Sequence, residues 1–127
     1  MERIVKHASA ESRPVLENGI ILKTEAYVKK HLQERLTVSQ IAASIPVSES
    51  YLSALFKRNT GESLNRYINH LKLSCAKDYI HTGRYTFTQI AQMLGYSNVH
   101  YFSQSFKRHV GMTPSEYANL LKGDTQA

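Results

Sequence analysis

Between Phe102 and Phe106 the chain places Ser103 and Gln104, with His100 just before them and Lys107 just after. A hydroxyl, a carboxamide, an imidazole and an ammonium on one short run make a hydrogen-bonding, positively charged surface. That is the chemistry of reading another molecule's polar edges. An earlier run has the same character: Glu49, Ser50, Ser53, Ala54 and Lys57 alternate with Leu52, Leu55 and Phe56. In both runs the apolar residues return at helical spacing, so the polar ones share an outward face.

The elements that must position these faces can be read from their punctuation. Ile90, Ala91 and Leu94 mark a short helix, which Gly95 stops because glycine enters the left-handed C′ conformation without strain. Ser97 is the expected N-cap of the following helix, which carries Phe102, Phe106 and Val110 inward and ends at Gly111. Thr113-Pro114-Ser115-Glu116 then opens a third helix as a capping box with proline at its first position. Two short helices joined by a tight glycine turn, the second polar outside, form a helix-turn-helix pattern.

The pattern occurs twice. Thr37-Val38-Ser39-Gln40-Ile41-Ala42 matches Thr86-Phe87-Thr88-Gln89-Ile90-Ala91, and Ser48 matches Ser97 at the same offset. After one extra residue in the later copy, Tyr51, Leu52 and Ser53 pair with Tyr101, Phe102 and Ser103. Phe56-Lys57-Arg58 pairs with Phe106-Lys107-Arg108, Gly61 with Gly111, and Tyr67 with Tyr117. This is an internal duplication. One difference stands out: Pro46 occupies the place of Gly95. Proline reaches no positive φ and pushes the preceding Ile45 out of the helical region. The first helix should therefore end by Ser44, in a turn of another type.

Between the copies, Ser63 to about His81 reads as one long helix closed by Gly83, with Leu64, Ile68, Leu71, Cys75 and Tyr79 as its apolar stripe. At 1.5 Å per residue it is a rod of about 28 Å. That is close to the roughly 34 Å between successive major grooves on one face of B-DNA. Ahead of the first copy a helix is expected from about Asn18 to Glu34 or Arg35, with Ile20, Ile21, Tyr27, Val28 and Leu32 on one face and Lys23, Lys29 and Lys30 on a solvated one. The organisation expected is a flexible lead-in or linker remnant over 1–16, a first helix-turn-helix subdomain over 17–62, the connecting helix over 63–82, a second subdomain over 83–122 and a tail over 123–127. The fold class is all-α: seven helices, in two helix-turn-helix subdomains joined by a long central helix.

Composition agrees. The 127 residues are 42% hydrophobic and 20% charged, which suits a globular chain rather than a disordered one. Net charge is +6, and residues 37–122 hold nine Lys or Arg against four Asp or Glu. A basic surface admits nucleic acid as partner. Cys75 is the single cysteine, so no internal disulfide forms, and its place beside Ala76 suits a packed residue. No apolar run approaches a membrane span and no signal-like segment follows Met1, so no membrane partner and a cytoplasmic location are expected. His7, His31, His70, His81, His100 and His109 show no metal-ligand spacing, and no HExxH, GxSxG or phosphate loop occurs. Neither an enzyme nor a cofactor or metal is expected.

The run Ile-Ala … Ser-x-x-Tyr-Leu-Ser-x-x-Phe-Lys-x-x-x-Gly, the long helix, and then Ile-Ala-x-x-x-Gly-Tyr … Tyr-Phe-x-x-x-Phe-Lys-x-x-x-Gly-x-Thr-Pro-x-x-Tyr resembles the DNA-binding domain of AraC/XylS-type transcription regulators. The resemblance covers about Asn18 to Leu120. It implies two helix-turn-helix units in adjacent major grooves of double-stranded DNA, acting in transcription, commonly as an activator. It further implies RNA polymerase as a second partner and a separate sensor or dimerisation domain. Three positions depart from the family pattern: Pro46 in the turn, Lys72 where arginine is usual, and Ala118 where a basic residue is frequent.

Residues near the start of a recognition helix reach base edges, and those near its end meet backbone. The base-contact candidates are therefore Glu49, Ser50, Ser53 and Ala54 in the first unit and Asn98, Val99, His100, Ser103 and Gln104 in the second. The phosphate candidates are Lys57, Arg58, Lys72, Lys107 and Arg108. Tyr51, Tyr67, Tyr101 and Tyr117 are expected to pack between helices. The competing reading is a basic, all-helical protein-interaction module without sequence-specific DNA binding.

Overall fold

A computed structural model of the chain describes the backbone of residues 2–126 and the side chains of residues 14–123. Seven helices follow in order: α1 (Glu2–Lys30), α2 (Val38–Ser44), α3 (Glu49–Thr60), α4 (Leu64–Thr82), α5 (Phe87–Met93), α6 (Val99–Val110) and α7 (Pro114–Gln126). No strand occurs among the described residues. The chain divides into two compact units, Met1–Lys30 with Thr37–Leu64, and His31–Leu36 with Asn65–Ala127.

The short helices begin where their caps dictate. Thr37 Oγ1 accepts from the Gln40 amide at 3.1 Å while the Thr37 amide donates to Gln40 Oε1 at 3.0 Å. Thr86 and Gln89 repeat that box at 3.1 and 2.8 Å, and Thr113 with Glu116 opens α7 in the same way at 3.1 and 2.8 Å. Each box satisfies two otherwise orphaned amides, and a lost cap costs about 1 kcal/mol.

In the first unit, Ile21 and Val28 of α1 are buried with Ile41 and Ala42 of α2 and Leu52, Leu55 and Phe56 of α3. Thr24 is buried among them without an orphaned hydroxyl, because its Oγ1 donates to the Ile20 carbonyl at 2.8 Å. In the second unit, Leu73, Ala76 and Ile80 of α4 close over Ile90, Ala91, Leu94, Phe102 and Phe106. The two phenylalanine rings meet edge-on at 5.8 Å, and Tyr117 of α7 reaches Phe106 at 5.6 Å. Each fully buried Val, Leu, Ile or Phe among them contributes about 1.5–3 kcal/mol.

Three boundaries differ from the sequence expectation. The first helix, expected from about Asn18, has helical backbone from Glu2 with Pro14 inside it. Glu, Lys, Arg and Ala before Pro14 favour helix without any apolar stripe, so the absence of periodicity there did not mean loop. The side chains of the expected lead-in, through residue 13, lie outside the described residues. At its other end α1 stops at Lys30, not at Glu34 or Arg35: the Glu34 amide turns back to the His31 carbonyl at 3.0 Å, and His31 Nδ1 meets Glu34 Oε2 at 2.6 Å. Finally, α7 continues to Gln126 through most of the expected tail, whose side chains past Gly123 are likewise outside the described residues.

The stripe of α4 is also rotated. Leu64 and Ile68 are buried as expected, but the series continues through Lys72, Leu73, Ala76 and Ile80, leaving Leu71, Cys75 and Tyr79 half-buried. A lysine stands in a core position, and that displaces the reading by one residue.

Candidate nucleic-acid interface

The two outward-facing helices are set by two turns that share one hydrogen bond and differ in another. In the first, Val47 N donates to the Ala42 carbonyl at 2.9 Å; in the second, Tyr96 N donates to the Ala91 carbonyl, also at 2.9 Å. Only the second adds a bond from the residue between, Gly95 N to Gln92 O at 3.1 Å, because Pro46 has no N–H to give. Gly95 has φ +77, and among the described residues only glycines have positive φ, so the two turns differ in backbone as expected. Ile45, however, stays helical at φ −90 and ψ −18, contrary to the expectation that Pro46 would expel it; α2 still ends at Ser44. The Ile45 amide donates to the Ala42 carbonyl at 3.3 Å, the acceptor that Val47 also uses, so Ile45 keeps a helix-end bond despite the proline.

After the turns come the caps. Ser48 Oγ accepts from the Tyr51 amide at 3.1 Å. In the second unit the cap is Asn98, not Ser97: its Oδ1 accepts from the Tyr101 amide at 2.9 Å. The extra residue of the later copy therefore precedes the cap, and Ser48 corresponds to Asn98. Ser, Asn and Asp cap about equally well, so neither Ser97 nor Asn98 was favoured by residue type. The carboxamide oxygen of Asn98 is held at the cap, which leaves its NH2 group pointing elsewhere as a donor.

On α3, Glu49, Ser50, Ser53, Ala54, Lys57 and Arg58 are all exposed. Arg58 is engaged, its Nη2 lying 3.1 Å from Glu17 Oε2 of α1 in a surface pair of the kind that contributes under about 1 kcal/mol. On α6, His100, Gln104, Lys107 and Arg108 are exposed, while Val99 and Ser103 are half-buried at the edge of the same face. Both helices thus present a polar band with basic residues toward the C-terminal end.

Lys72 is no longer a phosphate candidate. It is only 5% exposed, and its ammonium donates to the carbonyls of Leu32 at 2.8 Å, of Glu34 at 2.7 Å and of Leu94. Three donors meet three acceptors, so nothing is left for a phosphate. Burial lowers its pKa to about 8, against the pull of Cys75 and Glu34, and the group still carries its charge at neutral pH. The Cys75 thiol moves the opposite way, pushed up by burial and by Asp78, as suits a packed residue. The effect of the lysine is positional: it fastens the 31–36 segment and the end of α5 to α4. Gly95 completes the junction. A Cβ there would lie 2.5 Å from the Glu34 carbonyl oxygen and 2.9 Å from the Arg35 amide nitrogen, so the segment passes where no side chain fits.

Of the four tyrosines expected to pack, Tyr67 and Tyr117 are half-buried, and Tyr117 Oη lies 3.0 Å from His81 Nε2. Tyr51 and Tyr101 instead stand 44% and 60% exposed. Their matched repeat positions signalled equivalence, not burial. Tyr101 lines a cavity of about 320 Å³ with Arg35, Asn65, Asn69 and Ser97, beside the start of α6. Among the described residues no cluster could hold a metal ion, and no helix is long and apolar enough to cross a membrane.

Two units of this build, each offering a polar helix on a rigid pair, define a double helix-turn-helix DNA-binding domain. Residues 41–119 match the family model described as a helix-turn-helix domain. The chain belongs to the AraC/XylS-type family of transcription regulators, as a DNA-binding domain and not as an enzyme. An uncharacterized HTH-type transcriptional regulator of Bacillus subtilis, YobQ, is 36% identical over 99 residues, covering 78% of this chain and 41% of that protein. The C-terminal domain of AraT, a response regulator from Geobacillus stearothermophilus, is 28% identical with a TM-score of 0.77, covering 80% of this chain and 84% of that one. The DNA-binding domain of AdpA, a global transcriptional factor solved with a target DNA, shares the fold at a TM-score of 0.76 and 20% identity over 82% of this chain and 94% of that one. The chain spans less than half the length of the curated relatives it matches, 41%, 39% and 30% for three of them.

Proposed function

We propose that α3 and α6 enter adjacent major grooves of double-stranded DNA and that one copy of the domain reads an asymmetric site. The observation that carries this is the difference between two faces in direct repeat. The first offers Glu49, Ser50, Ser53 and Ala54, whose side chains are mostly short. The second offers His100 and Gln104, both exposed and longer, with Val99, Ser103 and the Asn98 amino group at its edge. Gln104 can pair bidentately with adenine N6 and N7, worth about 1–3 kcal/mol of discrimination. Base preference is therefore sharper under α6. Lys57, Lys107 and Arg108 neutralise phosphates, as does Arg58 once it leaves Glu17. Acting in the cytoplasm on RNA polymerase, and under a sensor or dimerisation domain, the whole protein raises transcription at its targets.

The test is selection of bound fragments from a random duplex library, repeated with Gln104→Ala. An asymmetric consensus should appear, with preference at an adenine-containing step lost in one half only. A palindromic consensus, or the same consensus from the variant, overturns the reading.

A further inference from the structure

One surface feature of the second unit, Arg108 apart, is used neither by its core nor by the reading face of α6. Beside the C-terminal half of α6 lies a cleft of about 390 Å³ lined by Arg66, Asn69 and His70 of α4 and by Arg108 and His109 of α6. Four of the five are basic side chains and none is acidic. The His70 and His109 rings meet edge-on at 6.0 Å, and His109 Nδ1 lies 3.0 Å from the Ser105 carbonyl, so His109 is fixed by its own helix. Asn69 also lines the cavity at the start of α6, with Arg35 and Tyr101. The two hollows therefore adjoin at Asn69 and together make a broken track between α4 and α6.

We infer that this track seats the backbone of one DNA strand, with Arg66, Asn69 and His70 of the connecting helix acting as phosphate-binding residues together with Arg108 and His109. A helix lying in a major groove is flanked by a row of phosphodiesters, each an acceptor of hydrogen bonds and a unit negative charge. A trough running beside such a helix, rich in N–H donors and lacking carboxylates, has the shape and sign for that row. Arginine suits the role best because its fork grips two phosphate oxygens at once. Asn69 adds a neutral donor at the joint between the hollows. The charge expected of Lys72 is supplied from the other side of the same helix. Arg66 and His70 already have neighbours within the protein, and a phosphate must outcompete them.

The inference rests on α6 reading a major groove, and the experiment separates the two. Binding of wild type, Arg66→Gln, Arg66→Lys, His70→Gln, Lys107→Ala and Gln104→Ala is measured against salt, on a random-sequence duplex and on a duplex chosen by selection. Thermal melting confirms that each variant folds. Arg66→Gln should shrink the log–log salt slope by about 0.9 on both duplexes, so that the loss of affinity over a fourfold rise in salt is about threefold smaller. His70→Gln should weaken both equally, and Arg66→Lys should restore the slope. Phosphate-ethylation interference should lose signals beside the α6 half-site in Arg66→Gln. If Arg66→Gln and His70→Gln bind as wild type while Lys107→Ala and Gln104→Ala do not, the track is wrong and the groove assignment stands. If none of the five changes binding, the groove assignment fails too. The source of the anion is tested with inorganic phosphate alone. If phosphate shifts the His70 and His109 NMR signals and duplex DNA does not, the track is a free-anion site and the inference is overturned. It is overturned equally if an acidic polypeptide moves those signals and DNA leaves them in place.

Discussion

The two helix-turn-helix units are copies in sequence, yet each is braced differently. Unit one closes its turn with the Ile45 and Val47 amides both on the Ala42 carbonyl, and Pro46 between them restricts the backbone without giving a bond. Unit two closes the bond that matches Val47's, adds one through Gly95, and then presses that glycine against the backbone of residues 34 and 35. Its Lys72 ties the same segment to the end of α5. One copy is held by the stiffness of a ring and the other by a net of backbone contacts. Duplicated motifs can thus keep the same geometry by unrelated physical means, and substitutions at matched positions need not have matched effects.

The sharpest break in the comparison should come at Gly95. Gly95→Ala meets both a left-handed φ, worth about 1–2 kcal/mol against alanine, and backbone that cannot yield. A total loss above about 3 kcal/mol is expected in urea unfolding. Gly61→Ala, at φ +80 with nothing within 4 Å of the added Cβ, should cost only the conformational part. Equal losses would show that the close approach has no energetic weight. Next comes Lys72→Met, which leaves the Leu32, Glu34 and Leu94 carbonyls without their donor and should destabilise the protein by about 2–3 kcal/mol. Were Lys72 on DNA instead, the variant would melt as wild type and lose salt slope.

Smaller effects are expected at the ends of the reading helices. Lys57→Ala and Lys107→Ala should each lower the salt slope by about one, equally on specific and random duplexes, since both positions are exposed. An effect on one sequence only would move that lysine to a base edge. The smallest concerns the cap of α7. The Thr113 amide and hydroxyl hold the Glu116 carboxyl below its ordinary value, with Lys107 helping. A depressed carboxyl contributes stability above pH 4.5 and loses it as pH falls through the lowered folded value. The Thr113 amide resonance should therefore titrate below pH 4.5 in wild type and stay flat in Glu116→Gln.

What could be read in the sequence was local. The capping boxes, the apolar pairs of α3 and α6, the seven-helix order and the outward band from Glu49 to Lys57 all depend on neighbours within about four residues. What misled was non-local. The acceptors of the Lys72 ammonium lie up to 40 residues away, so nothing beside it in sequence announced a buried role. One trace was present: Ile68, Lys72, Ala76 and Ile80 fall every four residues, and a lysine in phase with a stripe deserved the inward reading. Tyr101 failed for the opposite reason, since the aromatic type suggested packing where the helix face lay outward. The N-terminal half of α1 has helix-forming composition but no stripe, and periodicity alone could not register it.

The assignment of residues 31–36 has a consequence for how the molecule comes into being and how it can be cut. That short stretch belongs with residues 65 onward although the whole of α2 and α3 lies between. The second unit is therefore not a continuous piece of chain. During synthesis its first six residues emerge early and wait first for Lys72, across a loop of 38 residues, and then for Gly95, across a longer one, an entropic cost that slows assembly. A fragment begun at the start of α4 would keep the Leu94 carbonyl but lack those of Leu32 and Glu34, two of the three that its lysine bonds. A chimaera joined there would inherit them from the wrong parent, so any exchange of reading heads between relatives must carry both stretches together.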